Sequence, residues 1–484
     1  MKRPTYEPGK PVNQVPVVLA TAPEQVDHMT ASYARIPLAV RIPGRLIDQL
    51  PQRVTELLAS TEWTFLVGGW SEPILAMLPE SSRRAQLERE LVIFRAAGID
   101  RVAGFVAEGW DPALASLFVA LGVNEIFVVW HDDPPFEPVL MDHLGDVVTI
   151  FPVGGTLSPL LKNPGSLNGE PVLPTELLGG KLERKEPPID RKWAESIFDD
   201  AEGGLLYRKM LRLAHRLPER MPPEATEWLE SAQAGHWYKP GTDRHTAHSA
   251  LAAARHRIDL GRRRPADWTR LSVLDWDADA SDEVQIETPE LSLVVDAEEG
   301  MVLYVDHKPS ERSVSYLPGQ APWHIAQAML GEAPQRMTFA LTGVEEDRGR
   351  VGVTMNSQGV EVGLTASRNS IELQYRITAN SGWQRLGPEI SFSFSGSIRF
   401  RLDGSAWQTV TEPVALNGHR FRLEHGSEQI LVTALQPADF FLRPVTGGVI
   451  VWANWPLALS GKPEDVPPAA QLGVEYRMTL EITG

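Results

Sequence analysis

The 484-residue chain contains no cysteine. That excludes disulfide staples and thiolate metal sites, and it fits a reducing compartment. The opening residues, MKRPTYEPGK, lack the apolar run of a secretory signal. No stretch reaches the roughly 18 continuous apolar residues of a membrane helix. A cytoplasmic protein with no membrane partner is therefore expected. Positive charge is also scarce: 46 Lys and Arg stand against 63 Asp and Glu, a formal net charge of -17. Such a balance argues against nucleic acid or an anionic membrane as partner. A Walker A loop, a GxGxxG after a strand, HExxH, GxSxG and an EF-hand loop are all missing. Nucleotide binding and zinc proteolysis thus have no motif to rest on, and no cofactor or metal is expected.

What is present is globular. The apolar fraction is 43%, and the length exceeds a single core, so two or three domains are expected. The 14 tryptophans are many. Exposed aromatics can stack on sugar rings, although core filling is the commoner use.

The chain is organised around Leu66 to Asp133. Three apolar runs, Trp63–Val67, Arg101–Val106 and Glu125–Trp130, alternate with two helical patterns, which predicts parallel strands with helical crossovers, an α/β fold. Each run ends in polar or aromatic residues: Gly68-Gly69-Trp70-Ser71-Glu72, Glu108-Gly109-Trp110-Asp111, and His131-Asp132-Asp133. In such folds the carboxyl ends of the strands carry the site. Further strands are expected at Val17–Ala20, Pro37–Ile42 and Val147–Phe151. Arg45–Leu58 has helical spacing with Pro51 inside it, a break between short turns. Pro152–Asp190 reads as a long excursion with a short strand at Pro171–Leu173. Lys192–Ile258 is helical, interrupted by the aromatic turn from Gly235 to Gly241. From Trp268 onward the period becomes two, in runs such as MVLYVD, VEVGLTA and SIELQYRIT, which predicts an all-β sandwich.

Glu108 is the leading candidate for chemistry. It follows a strand and has no capping duty, whereas Asp111 before Pro112 suits an N-cap. A carboxylate so placed can serve as a glycosidase nucleophile or general acid; the alternative is a Glu bonding loop amides or an Arg. Glu72 is a candidate for sugar hydroxyls or for a cap. Trp70 and Trp110 are candidate platforms, or wall packing. Asp132 is a candidate second carboxylate, His131 a neighbour in the mouth, and His236 and Trp237 substrate contacts from the aromatic turn. Arg83, Arg84, Glu88 and Glu90 read as a solvated helix face. His245, His248 and His256 have no accompanying cluster of carboxylates and do not make a metal site.

At these residues the chain resembles glycoside hydrolase family 57, in its 4-α-glucanotransferase and α-amylase branch, as a divergent or partly degenerate member. Gly68-Gly69-Trp70-Ser71-Glu72-Pro73-Ile74-Leu75 is similar to the family's G-G-x-x-E-P-I-L, with Gln86 where its Q-I stands. Phe105 to Pro112 resembles W-x-x-E-R-x-W-x-P, which places the family nucleophile at Glu108. Phe151-Pro152, Leu206-Tyr207-Arg208-Lys209-Met210-Leu211 and Ala232-Gln233 through Trp237 follow family segments in order. The resemblance implies an incomplete (β/α)7-type barrel over 1–190, a helical domain over 191–265 and a β-sandwich over 266–484. It also implies retaining cleavage or transfer of α-glucosidic bonds.

The departures are specific. The family's early H-Q-P has become Thr21-Ala22-Pro23-Glu24. The Arg after the nucleophile is Gly109. The D-D-G-E-K-F-G loop that carries the acid/base corresponds to Leu173 through Lys181, with Glu176 near the lost Asp. Y-W-H has become His236-Trp237-Tyr238-Lys239. Three readings follow. One is an active α-glucan hydrolase or transferase with Asp132 or Glu176 about 5 Å from Glu108. The second is an inactive relative that binds glucan or a partner enzyme. The third is a structural or assembly protein with a protein partner.

Overall fold

A computed structural model describes residues 17–34, 38–130, 138–154, 184, 187, 189, 192–215, 222–262, 264–276, 281–317, 323–330, 333–357, 359–378, 383, 385–394, 396–457 and 474–484. The chain divides into two compact units. One is Met1–Arg216 with Gln233–Thr242; the other is Leu217–Ala232 with Asp243–Gly484.

In the first unit, β1 (Val17–Leu19), β2 (Ala39–Arg41), β3 (Thr64–Val67), β4 (Val102–Val106), β5 (Glu125–Trp130), β6 (Val139–His143) and β7 (Asp146–Gly154) form one sheet. Its order is β1-β2-β3-β4-β5-β7-β6. All neighbours are parallel except the β6–β7 hairpin. Sequence periodicity does not reveal β6, because its turn lacks the usual Asn-Gly pair. Leu144 and Gly145 instead both take positive φ, 54° and 93°, the two-residue turn that matches strand twist. The strands Glu125–Trp130 and Val147–Phe151 predicted from the sequence are β5 and the middle of β7.

Helices α1 (Pro23–Tyr33), α2 (Gly44–Ile47), α3 (Gln52–Ala59), α4 (Glu80–Ala96) and α5 (Ala113–Ala120) follow in order. The helix expected over Arg45–Leu58 is two helices, α2 and α3, with Pro51 as the N-cap of the second. Both sheet faces are apolar. On one, Val40, Phe65, Val67, Val106 and Ile126 join buried residues of all five helices, such as Val26, Leu46, Leu58, Phe94 and Phe118. On the other, Val17, Ala39, Leu66, Ala103, Phe105, Phe127, Val129 and Phe151 form a core of strand residues alone. Two-sided burial explains why these strands read as continuous apolar runs. The predicted strand at Pro171–Leu173 lies outside the described residues.

The second unit is β-rich. Strands from β8 (Arg270–Leu274) to β25 (Glu475–Thr483) pair antiparallel in a network that closes on itself. Alternating residues such as Val351, Val353, Val362, Leu364, Leu373 and Leu480 fill its core. The His245–Leu260 helix packs on this unit near Met301–His307 and Arg312–Ser313. Buried alanines 247, 250, 252, 253 and 254 give it a smooth face, and His248 stacks on Tyr316 at 4.5 Å. The helix is pinned by a buried charge network. Lys308 is fully buried, with Nζ 2.8 Å from Asp259 and 3.0 Å from Glu287. Arg255 lies 3.1 Å from the other oxygen of Glu287. Among the described residues no cluster of His, Asp and Glu is set to hold a metal, and no helix is long and apolar enough to cross a membrane.

Burial alone would raise the pKa of Glu287. Arg255 and Lys308, with hydrogen bonds from Lys308 and Ser292, overcome it and hold the pKa down to about 2, from an ordinary 4.5. A depressed folded-state pKa gives stability that is complete above the unfolded value and fades as pH falls through the folded one. Glu287→Gln is therefore expected to flatten the loss of stability between pH 4.5 and about 2, measured by urea unfolding across that window. An acid slope identical to the parent's would show that Glu287 does not carry it.

Candidate functional site

The centre of the first unit is a loop held shut from inside. Glu90 on α4 is fully buried, and its carboxylate accepts four donors. Arg41 Nη1 approaches to 2.5 Å, and the backbone amides of Gly44, Gly68 and Gly69 to 2.7, 2.9 and 2.8 Å. Arg41 also donates to the carbonyls of Leu66 and Gly69. One carboxylate thus ties β2, the start of α2, the end of β3 and the loop after it to α4. The solvated helix face expected at Arg83, Arg84, Glu88 and Glu90 is half correct. Arg84 and Glu88 are an exposed pair 3.8 Å apart, but Glu90 is an anchor. Arg83 turns back to the carbonyls of Leu78 and Ala76.

The Gly68–Leu75 loop is fixed again by Gln86. Its side chain bonds the amide and hydroxyl of Ser71 at 3.0 and 2.9 Å, and reaches Gln233 at 3.0 Å. The next residues complete the join. Gly235 N–H donates to the Glu72 carbonyl at 2.9 Å, and Pro73 and Ala234 form a β-bridge. The approach is so close that a Cβ on Gly235 would lie 2.9 Å from Ile74 Cγ1. Tyr207 closes the ring by donating to the Met77 carbonyl at 3.1 Å. Segments far apart in sequence are therefore brought together.

The carboxyl ends of β3 and β4 meet the aromatic turn here. Glu108 is 18% exposed, and Lys239 Nζ lies 2.8 Å from its Oε1. Glu72 is 26% exposed, 3.5 Å from Arg45. Its φ of 59° puts a non-glycine residue in the left-handed region, a strain of about 1–3 kcal/mol that surrounding bonds must offset. His236 keeps an exposed edge beside Trp237, ring centroids 4.1 Å apart. Partial burial lowers its pKa, and the cations of Arg45 and Lys239 lower it further. The result is a polar patch: two carboxylates, two cations, an imidazole and an indole. Sequence reading missed Lys239 and Arg45, since neither belongs to a motif whose chemistry needs a cation.

Trp70 and Trp110 are corrected. They are 7% and 1% exposed, so neither ring offers a platform face, and both serve as wall packing. Arg89 caps the Trp70 ring at 3.6 Å, and neither indole N–H finds a hydrogen-bond acceptor among the described residues. Asp111 accepts from the Ala113 amide at 2.8 Å, as a cap. Gly109 has φ 75°, and a Cβ there would sit 2.7 Å from Trp193 Cδ1. The Trp193 ring occupies the space that any side chain at 109 would need. His131, Asp132 and Glu176 lie outside the described residues.

No protein-family model matches the chain. Its fold is that of a solved 4-α-glucanotransferase from Thermococcus litoralis. The TM-score is 0.70 at 11% identity, over 98% of this chain and 100% of that one. In sequence it is 26% identical over 145 residues to a 4-α-glucanotransferase of Thermococcus kodakarensis, 27% of this chain and 22% of that relative. The match thus spans about a fifth of the relative's length. Sequence and fold agree in direction: part of the chain is similar in sequence to one 4-α-glucanotransferase, and the whole has the fold of another.

Two outcomes follow from this geometry. Removing Glu90 leaves Arg41 buried without its counter-charge. Glu90→Ala is expected to destabilise by about 3–5 kcal/mol, seen as an earlier urea transition. A shift under about 0.5 kcal/mol, the size of a surface change, would show the anchor is dispensable. His236 is expected to titrate below its ordinary 6.5 by NMR. Lys239→Met removes one of the cationic fields, so the His236 pKa should rise; no movement would place Lys239 outside its field.

Proposed function

We propose that the chain recognises α-glucan or an α-glucan oligosaccharide at the carboxyl ends of β3 and β4, with Glu108 as the central carboxylate. Glu72, His236, Trp237, Lys239 and Arg45 supply the remaining polar contacts. The fold reading behind this is finer than the topology alone. The sheet is an opened (β/α)7-type barrel, because all five described helices between β1 and β5 lie on one face and the other face is lined by strands. The β-rich unit is then the sandwich that follows such a barrel.

The observation that carries the functional reading is the Lys239–Glu108 ion pair at 2.8 Å. It gives Glu108 a partly exposed, electrostatically matched setting, which supports a binding role at this position. Ion-paired carboxylates and amphipathic rings suit neutral polyols, since both partners keep hydrogen-bonding capacity toward hydroxyls. Recognition needs this patch alone, whereas turnover needs a second carboxyl group as well. Retaining cleavage asks for a free nucleophile with an acid about 5–5.5 Å away, and this role falls to Asp132 or Glu176 if the chain is an enzyme.

Maltoheptaose binding and sugar release from glycogen and maltooligosaccharides separate these readings. Binding weakened about tenfold or more in Glu108→Gln, with no release by the parent, is the expected result. Release by the parent, abolished in Glu108→Gln and in Asp132→Asn or Glu176→Gln, would establish a hydrolase or transferase instead. No binding and no release would overturn the α-glucan reading and leave an assembly role.

A further inference from the structure

The β-rich unit carries an aromatic and polar surface of its own. Three strands build it: β19 (Arg385–Ser393), β23 (Glu428–Val445) and β24 (Gly448–Pro456), with β22 (Val414–His425) beside β23. Phe440, Leu442, Val451, Ala453 and Ile390 point into the core. By strand alternation their neighbours Phe441, Arg443, Trp452 and Glu389 point out. Register then places Glu389, Trp452, Phe441 and Ala415 in one row across four strands.

Each member of that row is constrained. Trp452 stacks on Phe441, with centroids 5.2 Å apart and planes 16° from parallel. The Trp452 indole N–H donates to Glu389, and Gln327 donates to the same oxygen at 2.6 Å. Trp452 covers one side of the Phe441 ring. On the other side the facing residue is Ala415, small and exposed. Among the described residues, the face of Phe441 away from Trp452 therefore stands over a shelf about one strand spacing, roughly 4.8 Å, in width.

Both ends of the shelf are polar. At one end Asn417 donates to Asp439 at 2.7 Å, and Arg385 lies 3.3 Å from the other Asp439 oxygen. At the other, Arg443 reaches over Trp452 at 5.3 Å. Its Nε is shielded from solvent and has no acceptor among the described residues. An aromatic face over a small residue, flanked by an amide, a carboxylate and two guanidiniums, fits one ligand class well. A pyranose has an apolar face of C–H groups and a rim of hydroxyls that both donate and accept.

We propose that this shelf is a second carbohydrate site, binding one pyranose of an oligosaccharide against Phe441. The hydroxyl rim is read by Asn417 and Asp439. Assigning the ligand to α-glucan rests on the function proposed above; the site itself does not. Trp452 and Glu389 act as positioning residues that hold the Phe441 ring upright.

The test is titration calorimetry of the full chain with maltoheptaose and, separately, cellohexaose. Phe441→Ala is expected to weaken one binding event about tenfold, Phe441→Tyr to retain it, and Glu108→Gln to leave that event unchanged. Circular dichroism of each variant should match the parent. Phe441-dependent binding of cellohexaose alone would support the shelf and overturn its assignment to α-glucan. Equal binding by the parent and Phe441→Ala, or no binding of either sugar by the parent, would overturn the shelf. Binding lost in Glu108→Gln but unaffected by Phe441→Ala would overturn it while leaving the cleft standing.

Discussion

A single desolvated carboxylate sets the geometry of the first unit. Removing Glu90 and Arg41 from water is expensive, and their attraction offsets that cost only when further hydrogen bonds engage both groups. Glu90 meets this condition with three backbone amides and a guanidinium. Arg41 meets it with two further carbonyls. The arrangement tolerates no slack, because movement of any one donor exposes the charge of the others. The loop follows this path only without side chains, since a Cβ would lie 3.0 Å from the Phe105 carbonyl at Gly68 and 2.7 Å from Pro73 Cδ at Gly69. The position of Glu72 follows from that loop. Its left-handed backbone is a local cost held in place by Gln86, Gly235 and the Pro73–Ala234 bridge.

Much of the fold was legible in the residues. Parallel strands buried on both faces gave unbroken apolar runs, and the alternation with helices gave their connection. Pro51 marked a true break. Period two from residue 268 onward announced the β-rich unit. Glu90 was illegible because helix periodicity reports where charge lies along a helix and cannot tell water from a buried partner. Its partner Arg41 is 49 residues earlier. Trp70 and Trp110 misled for a related reason: an indole at a strand end is equally suited to a ligand or to the wall behind one. Lys239 carried no motif signal, since a lysine beside an aromatic turn becomes meaningful only when folding places it on Glu108.

Around Glu108 the chain departs from the motif of glycoside hydrolase family 57 that its residues resemble. Where the family has arginine after the nucleophile, this chain has Gly109 in a backbone conformation suited to glycine, with Trp193 filling the adjacent volume. Positive charge nevertheless reaches Glu108, from Lys239 on a separate segment. One substitution within the motif is thus accompanied by a cation delivered from elsewhere, and the carboxylate remains in a charged setting.

The chain path has a consequence for how such a protein can be taken apart. The polypeptide leaves the first unit at Arg216, contributes Leu217–Ala232 to the second, and returns for Gln233–Thr242 before departing again. His236 and Lys239 ride on that returning piece. No one cleavage point yields the α/β unit by itself with its polar patch: cutting early discards the imidazole and the ammonium, and cutting late retains a stray helix belonging to the neighbour. During synthesis the sheet emerges long before the last residues of its own site. The nascent α/β unit must wait, with the amide-binding edge of its Gly-Gly loop unpaired, until a helix of the other unit has passed through the ribosome.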